Sequence, residues 1–231
     1  MGICRYIESK SPPKLIVSMN DALNYYQNYR SEMQPLLPEN YSRVLEIGCG
    51  EGYFRNNLSL DHEYWGVEPT PEIAQRAKER LDKVLIGTYD EVANHIPSAY
   101  FDLVICNDVI EHMTDHDQFL QAIKSKMKPG GSLVASIPNV RHILNLFEVL
   151  VKKDWQYKNA GILDRTHFRF FTKKSLQRII VDNGYESQQF IGINAYRADS
   201  FIKGLFAYFV ILALGQDTRF LQFGIRIRVV E

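Results

Sequence analysis

The sequence contains little cysteine and no excess of charge of either sign. Its three cysteines, Cys4, Cys49 and Cys106, are too few and too scattered for a disulfide scaffold or a four-ligand zinc site. Lysine plus arginine and aspartate plus glutamate both number 27, so the formal net charge is zero. A dedicated nucleic-acid-binding protein is therefore not expected.

Long apolar runs are also missing. The longest, 205–214, has about half of the ~20 residues needed to span a bilayer. The first residues lack the apolar stretch of a secretory signal, and Tyr6 stands where a myristoylation signal needs serine or threonine. We therefore expect a cytoplasmic protein, and peripheral contact with the inner face of the membrane stays open.

The composition and the alternation of segments are those of an α/β domain. Of the 231 residues, 45% are hydrophobic and 23% are charged, as in ordinary globular proteins. After a predicted N-terminal helix over 20–37, short runs rich in valine, isoleucine and leucine alternate with helical patterns. This alternation predicts a parallel sheet with helices on both faces. The predicted strands are 43–47, 64–68, 83–87, 101–107 and 131–137, and the predicted helices are 53–60, 70–82 and 115–128.

The chain changes character after Pro138. Residues 141–178 hold nine Lys/Arg against three Asp/Glu, a balance of 9 − 3 = +6. Two further predicted strands, 186–194 and 222–230, flank the apolar segment 201–214 and are close enough in sequence to pair. Three interpretations of that segment stay open: a buried helix over the acceptor pocket, a dimer contact, or an interfacial membrane anchor.

A glycine-rich loop, GCGEG, follows the first predicted strand. Gly48, Gly50 and Gly52 permit a tight turn that lets a ligand approach the backbone closely. The third glycine of a dinucleotide-binding fingerprint would fall at Tyr53, which disfavours a nicotinamide oxidoreductase. Glu46 precedes the loop, where a carboxylate repels pyrophosphate but suits an ammonium or sulfonium group.

Acidic and polar residues follow the next predicted strands. Glu68 ends the second strand, where an acidic side chain can accept hydrogen bonds from both hydroxyls of a ribose. Tyr89 and Asp90 follow the third strand, where an adenine edge would lie. Asn107 and Asp108 end the fourth strand and face the same crevice, because open parallel sheets bind ligands at the carboxyl ends of their strands.

Together these motifs resemble a class I S-adenosylmethionine-dependent methyltransferase. The similarity covers 43–139 and includes the runs FDLVICNDVIEH and KPGGSL. It implies a Rossmann-like, doubly wound α/β fold with strand order 3-2-1-4-5-7-6 and strand 7 antiparallel. It also implies S-adenosylmethionine as cofactor and S-adenosylhomocysteine as product. The implied cofactor contacts are Glu46, Gly48, Cys49, Gly50, Gly52, Glu68, Tyr89, Asp90 and Asn107.

Methyl transfer to a hydroxyl needs a base near the ends of strands four and five, because the sulfonium already activates the methyl group. The candidates include His142, but we assign the catalytic roles to Asp108, His112 and His167, with His167 preferred as the base. Asp108, Glu111 and His112 form a D-x-x-E-H pattern that resembles the cation-binding cluster of ubiquinone-pathway O-methyltransferases. Because the first acid here is aspartate, no metal ligand is assigned.

Two further segments resemble methyltransferases of bacterial surface polysaccharide biosynthesis. One is GILDRTHFRFFT, in which Asp164, Arg165 and Arg169 are predicted to bind the acceptor. Its aromatic side chains can stack on a sugar face, and its arginines can bind phosphate. The other is the Y-Y-x-x-Y-R pattern of the N-terminal helix, in which Tyr26 and Arg30 are predicted to bind substrate within a lid over the cofactor.

We therefore divide the chain into an N-terminal helical lid (1–42) and a class I methyltransferase domain (43–231). That domain comprises a core (43–139), a substrate-side segment (140–183), and closing strands with the apolar insertion (184–231).

The first functional hypothesis is an O-methyltransferase that acts on a sugar hydroxyl of a cell-surface glycan or its precursor. The acceptor would be a small molecule or glycan, phosphate-bearing or lipid-linked, and nucleic acid is not expected as a partner. One alternative is an O-methyltransferase of a phenolic quinone precursor at the membrane. The other is a non-catalytic cofactor-binding partner protein. Whether the chain forms a homodimer stays open.

Overall fold

Seven strands form one mixed sheet in this computed structural model, which describes residues 29–59 and 61–230. The spatial order is β3-β2-β1-β4-β5-β7-β6, and β7 runs antiparallel to both of its neighbours. This confirms the predicted fold class and strand order. The strands are β1 Arg43–Ile47, β2 Glu63–Glu68, β3 Lys83–Ile86, β4 Phe101–Asn107, β5 Met127–Pro138, β6 Tyr185–Ala195 and β7 Phe220–Val229.

The helices of the described residues lie mostly where the sequence predicts them, but they are shorter. Within the segment predicted as a helix over 53–60, the described residues form one short 3-10 helix, Tyr53–Asn57. The α-helices are α1 Pro71–Ala77, α2 Tyr89–Val92, α3 His116–Lys124, α4 Ile143–Leu150, α5 Lys173–Asp182 and α6 Phe201–Leu214. The 3-10 helices are Ser31–Leu36, Tyr53–Asn57, Ala93–His95, Ile110–His112 and Gln216–Arg219.

The predicted helix over 20–37 is wrong in the part that the structure describes, and 20–28 lies outside the described residues. Arg30 has φ +51°, a left-handed conformation that no α-helix continues through. A short 3-10 helix, Ser31–Leu36, follows it, and Pro35 lies inside that helix. Proline lacks the backbone N–H of an α-helical hydrogen bond, so this stretch does not form a regular α-helix.

The central strands are buried on both faces, as their near-continuous apolar sequences predict. Leu45 and Ile47 belong to one apolar cluster and Val44 belongs to a second, because successive side chains of a strand point to opposite faces. The sheet is therefore a rigid layer between two cores. The ligand edge described below is set by strands that have little freedom to shift.

The topology brings the carboxyl ends of β1 to β6 to one edge of the sheet. Because β7 is antiparallel, its beginning lies at this same edge, where Gln222 pairs with Pro138 of β5. The predicted pairing of the two late strands is confirmed, and α6 is the predicted apolar insertion between them. No helix in the described part of the chain has both the length and the apolar character to cross a membrane.

Candidate active site

A cavity of about 910 Å³ opens at the carboxyl edge of the sheet. This volume is near the upper end of the ~300–1,000 Å³ typical of small-molecule sites, so there is room for two ligands. Of the residues predicted for the site, those that line the cavity are Arg30, Glu46, Gly48, Cys49, Gly50, Glu68, Tyr89, Asp90, Asn107, Asp108 and His112. Those that do not are Gly52, Asp164, Arg165, His167 and Arg169. Tyr26 lies outside the described residues.

The glycine loop has the backbone that its sequence demands. Gly48, Gly50 and Gly52 have φ values of +71°, +54° and +81°, which residues with a side chain rarely adopt. The N–H groups of Gly48 and Cys49 both donate to the carbonyl of Val67, at 2.8 and 3.0 Å. The loop is thus folded back onto β2, with its backbone at the cavity wall.

Glu46 is a buried acid beneath this loop. Its carboxylate accepts a hydrogen bond of 2.8 Å from the hydroxyl of Tyr64. Burial raises the pKa of Glu46 to about 8, and the nearby carboxylate of Glu68 contributes a smaller part of this shift. A positively charged ligand beside Glu46 would favour its ionised form. An ammonium or sulfonium group, predicted from the sequence to lie here, carries such a charge.

Glu68 connects the glycine loop to β2. One carboxylate oxygen accepts from the N–H of Gly50 at 3.0 Å, and the other accepts from the N–H of Thr70 at 2.9 Å. Each oxygen keeps a further lone pair, so the carboxylate can still accept from the two hydroxyls of a ribose. At 4% exposure the side chain is held in one place at the end of its strand.

Unpartnered polar atoms on the cavity wall fit a polar cofactor. Both side-chain amide atoms of Asn107 and the hydroxyl of Tyr89 are buried without a hydrogen-bond partner among the described residues. Buried polar atoms nearly always have partners in native proteins. A ligand with donors and acceptors facing Asn107 and Tyr89 would supply them.

Asp108 lies at the cavity in an ion pair with Arg30. The Arg30 guanidinium donates to Oδ2 of Asp108, while Oδ1 accepts from Ser136 Oγ at 2.8 Å and from Gln222 Nε2 at 2.7 Å. Sequence reasoning missed Ser136 and Gln222. The position of Ser136 at the end of a predicted strand was a usable signal, whereas Gln222 reaches the site only because β7 is antiparallel.

A second cluster is made of Glu111 and His112, on the 3-10 helix after β4, and His167, from the segment 161–172. Nδ1 of His112 lies 3.2 Å from the carbonyl of Thr166, and Nδ1 of His167 lies 3.0 Å from the carbonyl of Ile162. A carbonyl only accepts, so each ring carries a proton on Nδ1, and in the neutral ring of His112 this leaves Nε2 able to accept. The two rings are 4.7 Å apart.

Glu111 is the unsatisfied member of this cluster. It is 1% exposed, neither carboxylate oxygen has a hydrogen-bond partner among the described residues, and one lies 4.0 Å from Nε2 of His167. Burial raises the pKa of Glu111 well above its usual range. Burial and the neighbouring His167 lower the pKa of His112. Ligand atoms of all three residues lie within 4.8 Å of one another.

The segment 161–172 positions His167 and does not line the cavity with its charged residues. The backbone N–H groups of Phe168 and Arg169 donate to the carbonyl of Glu111 at 2.9 and 3.1 Å. Asp164 accepts from the backbone of Thr166 at 2.8 Å and shapes the turn before His167. The Arg169 guanidinium donates to the carbonyl of Thr114.

A protein-family model described as "Methyltransferase domain" matches residues 17–189, about three quarters of the chain. The chain belongs to this methyltransferase family. Membership confirms the predicted class of enzyme and the predicted cofactor, S-adenosylmethionine. That the glycine loop and Glu68 hold this cofactor stays a prediction.

Curated relatives of this methyltransferase chain include ubiquinone biosynthesis O-methyltransferases. The human mitochondrial protein is 27% identical over 173 residues, which cover 69% of this chain and 46% of that protein. The protein of Bradyrhizobium diazoefficiens is 35% identical over 148 residues, 61% of this chain and 57% of that protein. The chain thus spans about half the length of these relatives.

Solved structures with the same fold include methyltransferases described as S-adenosylmethionine-dependent. One from Archaeoglobus fulgidus has a TM-score of 0.63 at 18% identity, and the match covers 91% of this chain and 99% of that one. One from Aquifex aeolicus has a TM-score of 0.57 at 12% identity, covering 90% and 93%. At these identities the similarity shows the fold alone.

Proposed function

We propose that this protein transfers the methyl group of S-adenosylmethionine to a phenolic hydroxyl of a quinone precursor. The observation that carries the proposal is the position of His112, whose unprotonated Nε2 belongs to a side chain on the wall of the cofactor cavity. The ubiquinone O-methyltransferases among its relatives support a phenolic acceptor over a sugar. The phenolic acceptor, which was an alternative in the sequence analysis, thus becomes the first hypothesis, and the sugar hydroxyl becomes the alternative.

In the proposed mechanism the protein aligns the two reactants and removes one proton. Glu46 and the glycine loop hold the methionine end of the cofactor, and Glu68 holds its ribose. The acceptor hydroxyl lies beside His112, whose Nε2 takes the proton as the oxygen attacks the methyl carbon. The lowered pKa of His112 keeps the ring neutral and able to accept. His167, behind His112, is a positioning residue in this scheme.

Asp108 is a positioning residue in this proposal. Both of its carboxylate oxygens are engaged by Arg30, Ser136 and Gln222, so it is poorly placed to take a proton. The resemblance to ubiquinone-pathway enzymes implies a cation site made of Asp108, Glu111 and His112. For the same reason, Asp108 does not complete such a site in this proposal.

A divalent cation is a second candidate for activating the acceptor, favoured by the unpartnered carboxylate of Glu111. Glu111, His112 and His167 would hold it, since carboxylate and imidazole are ordinary ligands for such ions. When bound, the cation would act as a Lewis acid that lowers the pKa of the acceptor hydroxyl. Elemental analysis of the purified protein separates the two routes. Activity that survives a chelator, with no bound metal, supports proton transfer to His112.

The sugar hydroxyl remains the competing acceptor. The feature that favours it is the exposed Phe168 beside the exposed Arg165 and Arg169, a surface that suits a phosphate-bearing sugar. These side chains lie outside the cavity lining, however, so a sugar bound there would need to reach inward to the cofactor.

The deciding experiment offers methyl-labelled S-adenosylmethionine with a tail-less catechol, a catechol carrying an isoprenoid tail, and a nucleotide sugar. We expect label on the phenolic oxygen, located by mass spectrometry. His112→Gln should lower kcat by about 10²–10⁴-fold and leave cofactor binding intact, because a general base contributes about that factor. Label on the sugar and none on either catechol would overturn the proposal.

A further inference from the structure

The helices α4 and α6 carry an apolar face that the other described elements leave exposed. We define this apolar face by Leu144, Leu150, Phe201, Leu205, Phe209 and Leu212. Ala207 is the single buried residue of α6, while Phe201 is 85% exposed. The two helices are joined by the rings of Phe147 and Phe206, 5.9 Å apart. The segment is therefore not the buried helix over the acceptor pocket that was one of its three interpretations.

The apolar face lies on the same side of the molecule as the cavity. The insertion that contains α6 leaves the sheet after β6 and returns at β7, both at the carboxyl edge. Asn194 and Leu221, at the two roots of this insertion, line the cavity. At its far end the helix is tied to the domain by Arg141, which donates to the carbonyl of Leu214.

Basic and aromatic side chains border the apolar face where α4 ends. Lys152, paired with Glu148, and Lys153 come just after the end of the helix, followed by Trp155, Tyr157 and Lys158, all five of them exposed. They belong to the stretch 141–178, whose balance is +6. Tryptophan, tyrosine and lysine at the border of an apolar surface are typical of segments that lie at the interface of an anionic membrane.

Ring contacts lead from this border to the catalytic cluster. The ring of Trp155 lies 5.2 Å from that of Phe170, which lies 6.4 Å from the imidazole of His167. The imidazole of His167 in turn lies 4.7 Å from that of His112 on the cavity wall. A row of packed aromatic side chains thus connects Trp155, which follows α4 in the chain, with the proposed proton acceptor.

We propose that the apolar face docks on an anionic lipid bilayer and that a lipid-borne phenolic acceptor enters the cavity from that side of the molecule to reach His112. The second half of this statement rests on the proposed function. α6 has 14 residues, about 21 Å of helix, so it would lie in the plane of a bilayer whose core is ~30 Å thick. A symmetric contact with a second copy is disfavoured, because it would bring the lysine-rich borders of both copies together.

The test of docking is co-sedimentation of the full chain with vesicles. We expect binding to vesicles of phosphatidylcholine mixed with phosphatidylglycerol, weaker binding to phosphatidylcholine alone, and weakening at high salt. Leu212→Gln should reduce binding about tenfold, and Phe201→Gln with Leu205→Gln and Phe209→Gln should abolish it. Val181→Gln is the matched control, since Val181 on α5 is 69% exposed, as is Leu212.

The charged border is tested in the same assay. Lys153→Gln with Lys158→Gln should lower binding to the anionic vesicles and leave the weaker binding to phosphatidylcholine unchanged, while Lys78→Gln on the exposed surface after α1 should change neither. All variants must melt like the original protein. The proposal would be overturned if the chain failed to sediment with anionic vesicles, or if the α6 variants sedimented with them to the same extent as the original protein. A dimer in light scattering that these variants dissociate would also overturn it.

The access route is tested with the two catechols. The α6 variants should lose methylation of the vesicle-borne, tailed catechol and keep that of the tail-less one in solution. A chain that binds vesicles but methylates neither catechol refutes the proposed function and leaves the docking surface standing. A chain that methylates both equally well without binding vesicles refutes the docking surface and leaves the proposed function standing.

Discussion

The guanidinium of Arg30 binds the carboxylate of Asp108, 78 positions later in the chain, at the wall of the cavity. Asp108 has φ +54°, a conformation that aspartate and asparagine tolerate better than most residues. The Arg30 side chain is 12% exposed and also binds Glu32. This ion pair fastens the segment before β1 to the end of β4.

Removing the Asp108 carboxylate should destabilise the fold more than it impairs proton transfer. Asp108→Ala leaves the Arg30 guanidinium largely buried without its main partner, at a cost of about 3 kcal/mol in the free energy of unfolding by urea. Asp108→Asn keeps the contacts to Ser136 and Gln222 and should cost less. We expect its kcat to stay within about tenfold of the original, whereas loss of a general base costs about 10²–10⁴-fold. Asp182→Ala, on the exposed end of α5, is the control.

Glu46 should make the stability of the cofactor-free protein fall as pH rises. Its pKa is about 8 in the fold and 4.5 for an ordinary glutamate, so between these values the folded state holds a proton that the unfolded chain has lost. Because the unfolded chain ionises across this window while the folded state stays protonated, the free energy of unfolding falls by on the order of 3–5 kcal/mol as pH rises through it. Glu46→Gln should remove this part of the pH dependence in urea unfolding measured from pH 5 to about 9. Unchanged pH dependence in the variant would show that Glu46 is not the responsible group.

Cofactor binding should release a proton from Glu46. The positive charge of S-adenosylmethionine beside the carboxylate lowers its pKa, so near pH 7 the protonated acid ionises on binding. Titration calorimetry in two buffers of different ionisation enthalpy measures the number of protons released. Glu46→Gln should show none. Equal apparent enthalpies in both buffers for the original protein would contradict the prediction.

Glu68 should control affinity for the cofactor. Glu68→Gln replaces one of the two acceptor oxygens by an NH2 group, which only donates. The variant therefore loses the hydrogen bond from the N–H of Gly50 or of Thr70 and the one from a ribose hydroxyl on the same side. Loss of a hydrogen bond to a charged group costs about 1.5–3 kcal/mol, which is about 10–100-fold in Kd. Titration calorimetry measures it, with Glu72→Gln on the exposed face of α1 as the control. Wild-type affinity in the Glu68 variant would remove this residue from the site.

Gly48 should be intolerant of a side chain for two separable reasons. A Cβ there would lie 2.7 Å from Cγ2 of Val109, and φ is +71°. Gly161 has φ +85° and nothing within 4 Å of the position of a Cβ. The substitution Gly161→Ala therefore measures the cost of the backbone conformation without a steric clash. We expect a loss of about 1 kcal/mol for Gly161→Ala and about 2–4 kcal/mol for Gly48→Ala in urea unfolding. Adding Val109→Ala to Gly48→Ala should recover the difference in part, and no recovery would exclude the clash as its cause.

The alternation of strands and helices and the glycine loop could be predicted because their signals are local, whereas the order of the strands came from the resemblance to class I methyltransferases. An apolar strand followed by Gly48, Gly50 and Gly52 specifies a turn by backbone sterics alone. Glu46 and Glu68 occupy their positions because each lies at the end of its own strand. Helix lengths were overestimated, since apolar periodicity does not show where a helix gives way to a 3-10 turn, as it does at Tyr53–Asn57.

The proton-handling part of the site could be predicted only as a set of candidates. His167 was the preferred base by sequence, but the structure places His112 on the cavity wall and His167 behind it. That order depends on hydrogen bonds from the backbone of Phe168 and Arg169 to Glu111, more than fifty positions earlier. A contact between such distant segments leaves no periodic pattern in either of them.

The sequence by itself determined the class of fold and the conformation of the glycine loop, because these follow from steric and apolar patterns within short segments. Tertiary structure decided which residues meet. The antiparallel strand brings Gln222 to Asp108, the 161–172 segment brings His167 to Glu111, and the insertion leaves α6 exposed beside the cavity. The physical reason is that the packing of the sheet selects contacts between distant segments, and a contact's energy depends on both partners being in place.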